Sequence, residues 1–179
     1  MTTYYNDQVK VLVSVDCIIF GFSEGSLRVL IGKRQMDPGR GQWSLYGGFV
    51  KMEENLDEAA NRVLLELTGL NNLYMRQVGA FGQVDRDPGE RVISVVYYAL
   101  INTSDYDIQL QREHGVEWID INNLPPMYSD HRQMIIKARE MMKNQIAREP
   151  IGFNLLSDLF TLTQLQKLYE AVNGEEMDK

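Results

Sequence analysis

The chain carries one cysteine, Cys17, so no intrachain disulfide can form and a reducing compartment suits it. Cys17 sits in an apolar stretch, where a buried, inert thiol is the default. Histidine is almost as scarce. His114 and His131 stand apart, and together with a lone cysteine they form no cluster of the kind zinc requires. No run approaches the ~20 apolar residues of a membrane span. The opening MTTYYNDQVK lacks the charged-then-apolar pattern of a secretory signal. Positive charge is also short: 18 Lys and Arg against 25 Asp and Glu leave a net charge of -7. A surface of that sign does not draw in polyanions, which weighs against nucleic-acid binding by this stretch. These absences lead us to expect a cytoplasmic protein with no membrane partner, no structural metal and no resident cofactor.

What is present is ordinary for a folded domain. The 179 residues are 44% hydrophobic and 24% charged, enough for one full domain and part of another. Residues 9–21 and 27–33 are rich in Val and Ile and read as strands, joined by the turn-like SEGS. A Gly/Pro loop then leads to a strand at about 43–50. Residues 73–84 and 91–102 are strand-like around the turn RDPGE, and 116–121 is a short strand that LPP ends. Residues 130–148 show helical spacing through Met134, Ile135, Ala138, Met141, Met142 and Ile146. Arg132, Lys137, Arg139, Lys143 and Arg148 fall in the same segment and read as a solvated helix face. The pattern is a mixed sheet with helices, α/β (α+β).

Between two strands lies GFVKMEENLDEAANRVLLELTGL, from Gly48 to Leu70. Leu56, Ala59, Ala60, Val63, Leu64 and Leu67 recur at helical spacing. Asn55 or Asp57 can cap the start, and Gly69 is a natural stop. Glu58, Arg62 and Glu66 lie four apart and can pair. The segment resembles the Nudix hydrolase box, G-x5-E-x7-R-E-U-x-E-E-x-G-U with U aliphatic. Gly48, Glu54, Arg62, Leu64, Glu66, Gly69 and Leu70 match in register. Val63 and Leu67 stand where the family has Glu.

That resemblance implies a fold and also a loss. Nudix enzymes hold divalent cations, usually magnesium, on carboxylates of this helix, and magnesium demands hard oxygen ligands in near-octahedral array. Of the three acidic positions at 63, 66 and 67, only Glu66 remains, with Glu54 as its one helper. Glu53, Glu54 or Glu58 acting from a shifted position is the alternative. The resemblance therefore implies a binding site on an enzyme scaffold, with no catalytic residue and no bound metal.

Arg34, Pro38, Gly41, Trp43 and Leu45 match the strand-loop-strand ahead of the box in many Nudix proteins. Tyr46 replaces the usual proline and Lys51 a common acid. RDPGERVISVVYYALI and WIDINNLPPMYSDH are similar to a branch that contains ADP-ribose-type Nudix domains and Nudix-related transcriptional regulators. FTLTQLQKLYEAVNGEEMDK, with Thr161 or Thr163 as a cap, resembles the opening of the winged-helix domain of those regulators. A C-terminal helix merely packed on the body is the alternative. The resemblance implies a Nudix-like α/β/α sandwich with a mixed sheet over residues 1–149, followed at 150–179 by the start of a winged helix-turn-helix, incomplete as given.

On this reading the protein is a ligand-responsive transcriptional repressor that acts as a homodimer on a DNA operator. The alternative is a magnesium-dependent hydrolase of an ADP-ribose-type nucleoside diphosphate. Apolar Val63 and Leu67 favour an effector without a magnesium-bridged pyrophosphate, hence a pentose such as L-arabinose ahead of ADP-ribose. The expected effector residues are Arg34, Tyr46, Lys51, Arg62, Glu66, Phe81 and Asp85. Trp43 divides evenly between core and pocket.

Overall fold

A computed structural model describes residues 7–70, 73–103, 115–156 and 158–175. Seven strands form one mixed sheet: β1 (Leu12–Ser23), β2 (Ser26–Lys33), β3 (Trp43–Ser44), β4 (Tyr46–Phe49), β5 (Met75–Phe81), β6 (Val92–Asn102) and β7 (Val116–Asp120). Among the described residues three α-helices pack on it: α1 (Leu56–Thr68), α2 (His131–Ile146) and α3 (Leu162–Asn173). The main path runs β3-β2-β1-β6-β5, with β4 on β1 and β7 on β2. β1 and β6 are parallel, and the other strand pairs are antiparallel. The β1–β2 hairpin turns at Glu24 and Gly25, both with positive φ (53° and 77°), the geometry a two-residue hairpin favours.

β1 reads as a continuous apolar run because both its faces are covered. Val15, Cys17 and Ile19 join Ala59, Ala60, Val63 and Leu64 of α1 in one core layer. Ile18, Phe20 and Phe22 join Met134, Ile135, Ala138 and Met142 of α2 in the other. The two-residue period of a strand thus sorts one sequence into two cores. The same period aims Asp16 away from the α1 layer and toward α2, where its carboxylate lies near His131. Cys17 is buried, its thiol donates to the Ala60 carbonyl, and burial pushes its pKa well above the ordinary thiol value.

α1 keeps its expected limits. Asn55 caps it through the Glu58 N–H, Glu58 returns the bond to the Asn55 N–H, and Gly69 ends it at φ 75°. Gly48 is required by close approach: a Cβ there would lie 2.7 Å from a methyl of Val63. Val63 is therefore a core residue that seats the helix on β4.

The tail does not stand clear of the body. Thr161 caps α3 and forms a reciprocal pair with Gln164. Leu168 and Val172 are fully buried in the same core layer as Met134 and Met142. The basic stretch of α2, expected to be a solvated face, serves this contact in part. Arg139 donates to the Ala171 carbonyl at 3.1 Å and Lys143 to the Asn173 carbonyl at 2.9 Å. Cations so placed satisfy the orphan carbonyls at a helix C-terminus and oppose its negative end. Arg132 donates to the Leu124 carbonyl at 3.1 Å, so it too is bound rather than free.

Candidate functional site

A concavity with two lobes opens beside β4. The first, about 170 Å³, is lined by Asp16, Arg34, Arg86, Asp87, Tyr128 and His131 with the backbone of Gly47 and Gly48. The second, about 160 Å³, is lined by Lys33, Arg34, Met36, Tyr46, Gly47 and Leu67 among others. Arg34, Met36 and Gly47 belong to both, so the lobes adjoin along these residues.

A buried polar network shapes the first lobe. Ser94 donates to Asp16 at 2.5 Å. His131, the first residue of α2, accepts the Leu45 N–H on Nδ1 at 3.0 Å, which leaves the ring proton on Nε2, 3.9 Å from Asp16. Asp130 grips Arg86 with two bonds of 2.8 and 2.9 Å, and both side chains are largely buried. Burial opposes the Arg86 charge, but the Asp130 carboxylate outweighs it and raises the arginine pKa. Tyr128 donates to Asp87 at 3.2 Å and lies under the Arg34 guanidinium, 4.1 Å from the ring centre. Arg34 is further anchored by its Nε to the Pro38 carbonyl at 2.9 Å.

Burial lowers the His131 pKa; Asp16 and Asp130 oppose the shift, while Arg86 and Arg34 reinforce it. Protonation would place a hydrogen on Nδ1, against the Leu45 N–H. A depressed folded-state pKa means the unfolded chain binds the proton first as pH falls. The contribution of His131 is therefore complete above about pH 6.5 and is lost as pH drops below that value. Urea unfolding between pH 7.5 and 5.5 is expected to show falling stability. His131→Gln should flatten this slope. An equal slope in His131→Gln refutes the account.

The box helix presents a different picture. Arg62 bonds Glu54 at 2.6 and 2.8 Å, Glu66 at 3.1 Å and the Phe49 carbonyl at 3.0 Å. The Arg62 hydrogen bond and the Lys51 N–H hold the Glu54 carboxyl down at about 2, and Glu54 in turn raises the arginine. Glu58 is engaged in the cap. Among the described residues no group of three or more His, Cys, Asp or Glu is placed to hold a metal ion. Of the three box positions at 63, 66 and 67, this helix keeps a carboxylate only at Glu66. Val63 is in the core, Leu67 offers no oxygen, and the two carboxylates in register are tied to Arg62.

Of the residues expected in the pocket, Arg34 and Tyr46 line the concavity. Arg62 and Glu66 line neither lobe. Lys51 is exposed and joins the site only through its backbone bond to Glu54. Phe81 packs against the core with the Lys137 ammonium 5.1 Å above its ring. Asp85 is exposed outside both lobes, and its neighbours Arg86 and Asp87 reach in instead. Trp43 packs partly against the core, under the Lys33 ammonium at 3.9 Å. Asp16, Arg86, Asp87, Tyr128 and His131 were not anticipated. Asp16 had a signal, as the one carboxylate inside an apolar strand. His131 is no isolated residue, and His114 lies outside the described residues.

Residues 10–138 match the NUDIX domain and residues 152–179 match the NrtR DNA-binding winged helix domain. The chain is 34% identical over 178 residues to the "ADPR responsive transcriptional repressor NtrR" of Acinetobacter baylyi, covering 97% of this chain and 71% of that one. The chain belongs to the NrtR family. The crystal structure of Shewanella oneidensis NrtR, 30% identical, superposes with a TM-score of 0.85 over 93% of this chain and 79% of that one. NrtR from the same source, complexed with a 27mer DNA, gives 0.84 over 92% and 77% at 30% identity. The NUDIX domain of that NrtR, complexed with ADP ribose, gives 0.69 over 78% and 94% at 29% identity. The mixed-sheet Nudix architecture expected from the sequence is thus that of NrtR. The expected pentose effector finds no support among these relatives. No helix among the described residues is long and apolar enough to cross a membrane.

Proposed function

We propose that this NrtR-family chain belongs to a transcriptional repressor that responds to ADP-ribose, binding it in the two-lobed cleft without hydrolysing it. Residues 150–179 would open the winged-helix domain that contacts DNA, with residues 1–149 as the effector-binding domain. The protein would work in the cytoplasm as a homodimer. The observation that carries this reading is the likeness, over 97% of this chain, to an ADPR responsive repressor, combined with a box helix whose matching carboxylates are bound to Arg62. The net charge of -7 does not oppose it, since phosphate contacts to DNA are a local property of the winged helix. A ligand shifts the equilibrium of such a repressor only if it binds the DNA-competent and free states unequally.

Calorimetric titration of ADP-ribose into the chain, with L-arabinose in parallel, is the test. Saturable heat with ADP-ribose and none with L-arabinose is expected; the reverse restores the pentose and removes the ADP-ribose reading. A second reading, an active pyrophosphohydrolase, draws on the intact Glu54–Arg62–Glu66 arrangement. Magnesium-dependent cleavage of ADP-ribose that Glu66→Ala abolishes would replace the sensor with an enzyme. No turnover is expected in either protein.

A further inference from the structure

We infer that Asp16 and His131 form a hydroxyl-reading point in the first lobe, which takes the base-free sugar of the effector and so sets specificity. Such a point deepens the ADP-ribose reading and rests on it for the ligand's identity.

Asp16 is 5% exposed in the middle of an apolar strand, and only half of its carboxylate is paired. Oδ2 accepts from Ser94. Oδ1 makes no hydrogen bond among the described residues and faces His131 Nε2 at 3.9 Å, beyond hydrogen-bond reach. The Nε2 proton is equally unused, and its place is fixed because Nδ1 accepts the Leu45 N–H. Both residues line the lobe. Folded proteins pair their buried polar groups, and an unpaired one costs stability. An open acceptor and an open donor side by side on a cavity wall therefore mark what the cavity receives. Gly47 supports the same assignment. It lies opposite Asp16 in the β1–β4 pair, and a Cβ on it would fall 2.2 Å from Oδ1. Any side chain at position 47 would displace the carboxylate from this spot.

The distance selects the chemistry. One oxygen can sit about 2.8 Å from both atoms, since they are 3.9 Å apart. That oxygen must donate to the carboxylate and accept from the imidazole. A hydroxyl does both with a single atom. An ionised phosphate oxygen has no proton to donate, and an amide N–H cannot accept. Size narrows the choice further. The lobe holds about 170 Å³, and a cavity of about 150 Å³ admits one six-membered ring. A lone sugar ring suits it, and a sugar bearing a base does not. In ADP-ribose that ring is the ribose without adenine.

The test is calorimetric titration of ADP-ribose, and separately of the β-methyl ester of ADP, into the wild type and Asp16→Asn. The ester carries the same phosphate charge and lacks the terminal sugar. The wild type should bind ADP-ribose about tenfold or more tightly than the ester, as loss of a hydrogen bond to a charged group implies. Asp16→Asn keeps an acceptor for Ser94 but turns a donor toward the Nε2 proton. It should weaken ADP-ribose by about tenfold or more and leave the ester within about twofold, which also checks that the variant's cleft is folded. A purely structural role for Asp16 would weaken both ligands alike, and that result overturns the inference. Equal binding of the two ligands by the wild type overturns it as well, as does a variant that binds ADP-ribose with unchanged affinity; in both cases the ADP-ribose reading stands. A wild type that binds neither ligand sinks that reading and the hydroxyl point with it.

Discussion

Asp130→Ala should cost about 3–5 kcal/mol of folding stability, the penalty for stranding a buried charge. The Arg86 side chain is only 5% exposed and depends on Asp130 for its two charge-assisted bonds. Removing the carboxylate leaves a desolvated guanidinium with no compensating anion, since Asp16 and Asp87 act on it only at longer range. Asp130 precedes α2 but makes no capping bond with its side chain, so a lost cap does not contribute to the effect. In a chain of this size the melting temperature should fall by roughly 6–20 °C. Asp130→Asn, which keeps the shape and one acceptor, should fall between the two. Because Arg86 lines the cleft, the same substitution should also abolish effector binding at temperatures where the protein remains folded. A variant within 1 kcal/mol of wild type by urea unfolding would show that water or rearrangement satisfies Arg86 without its partner.

Leu168→Ala is expected to be comparably severe, at about 2–5 kcal/mol, although it lies in the tail matched to the winged helix rather than in the NUDIX region. Leu168 has no exposed surface and meets Met134, Ile135 and Met142 in the layer under the sheet. Leu162, in the first turn of the same helix, is 84% exposed. Leu162→Ala should change stability by no more than about 0.5 kcal/mol. Paired urea curves check both. Equal effects from the two leucines would mean that α3 is not seated as described.

The strands and helices were readable because their causes are local. Val/Ile-rich runs gave β1, β2 and β6, and a 3.6-residue stripe with Asn55 and Gly69 at its ends gave α1 within a residue. The site was less so. Asp16, Arg86, Asp87, Tyr128 and His131 come from three separate stretches and meet only through the strand order and the placement of α2. No spacing records that meeting. The turn after β5 shows the limit: which of Asp85, Arg86 and Asp87 faces inward depends on irregular backbone, and no periodicity governs it. The pentose expectation found no support among the relatives for another reason. Val63 and Leu67 were legible as apolar replacements, but an apolar residue at a box position does not by itself say which ligand the cleft takes.

Seen in evolutionary terms, the seat of α3 constrains how this family can recombine. The seam between the two family regions crosses a hydrophobic layer, with Met134, Ile135, Ala138 and Met142 on one side and Leu168 and Val172 on the other. Arg139 and Lys143 add polar stitches to the end of the tail helix. A DNA-binding module moved onto another member's sensor would meet a foreign set of knobs and hollows. Such a graft succeeds only if the outer face of α2 travels with it, so sensor and reader are expected to diverge together, with paired changes along this seam.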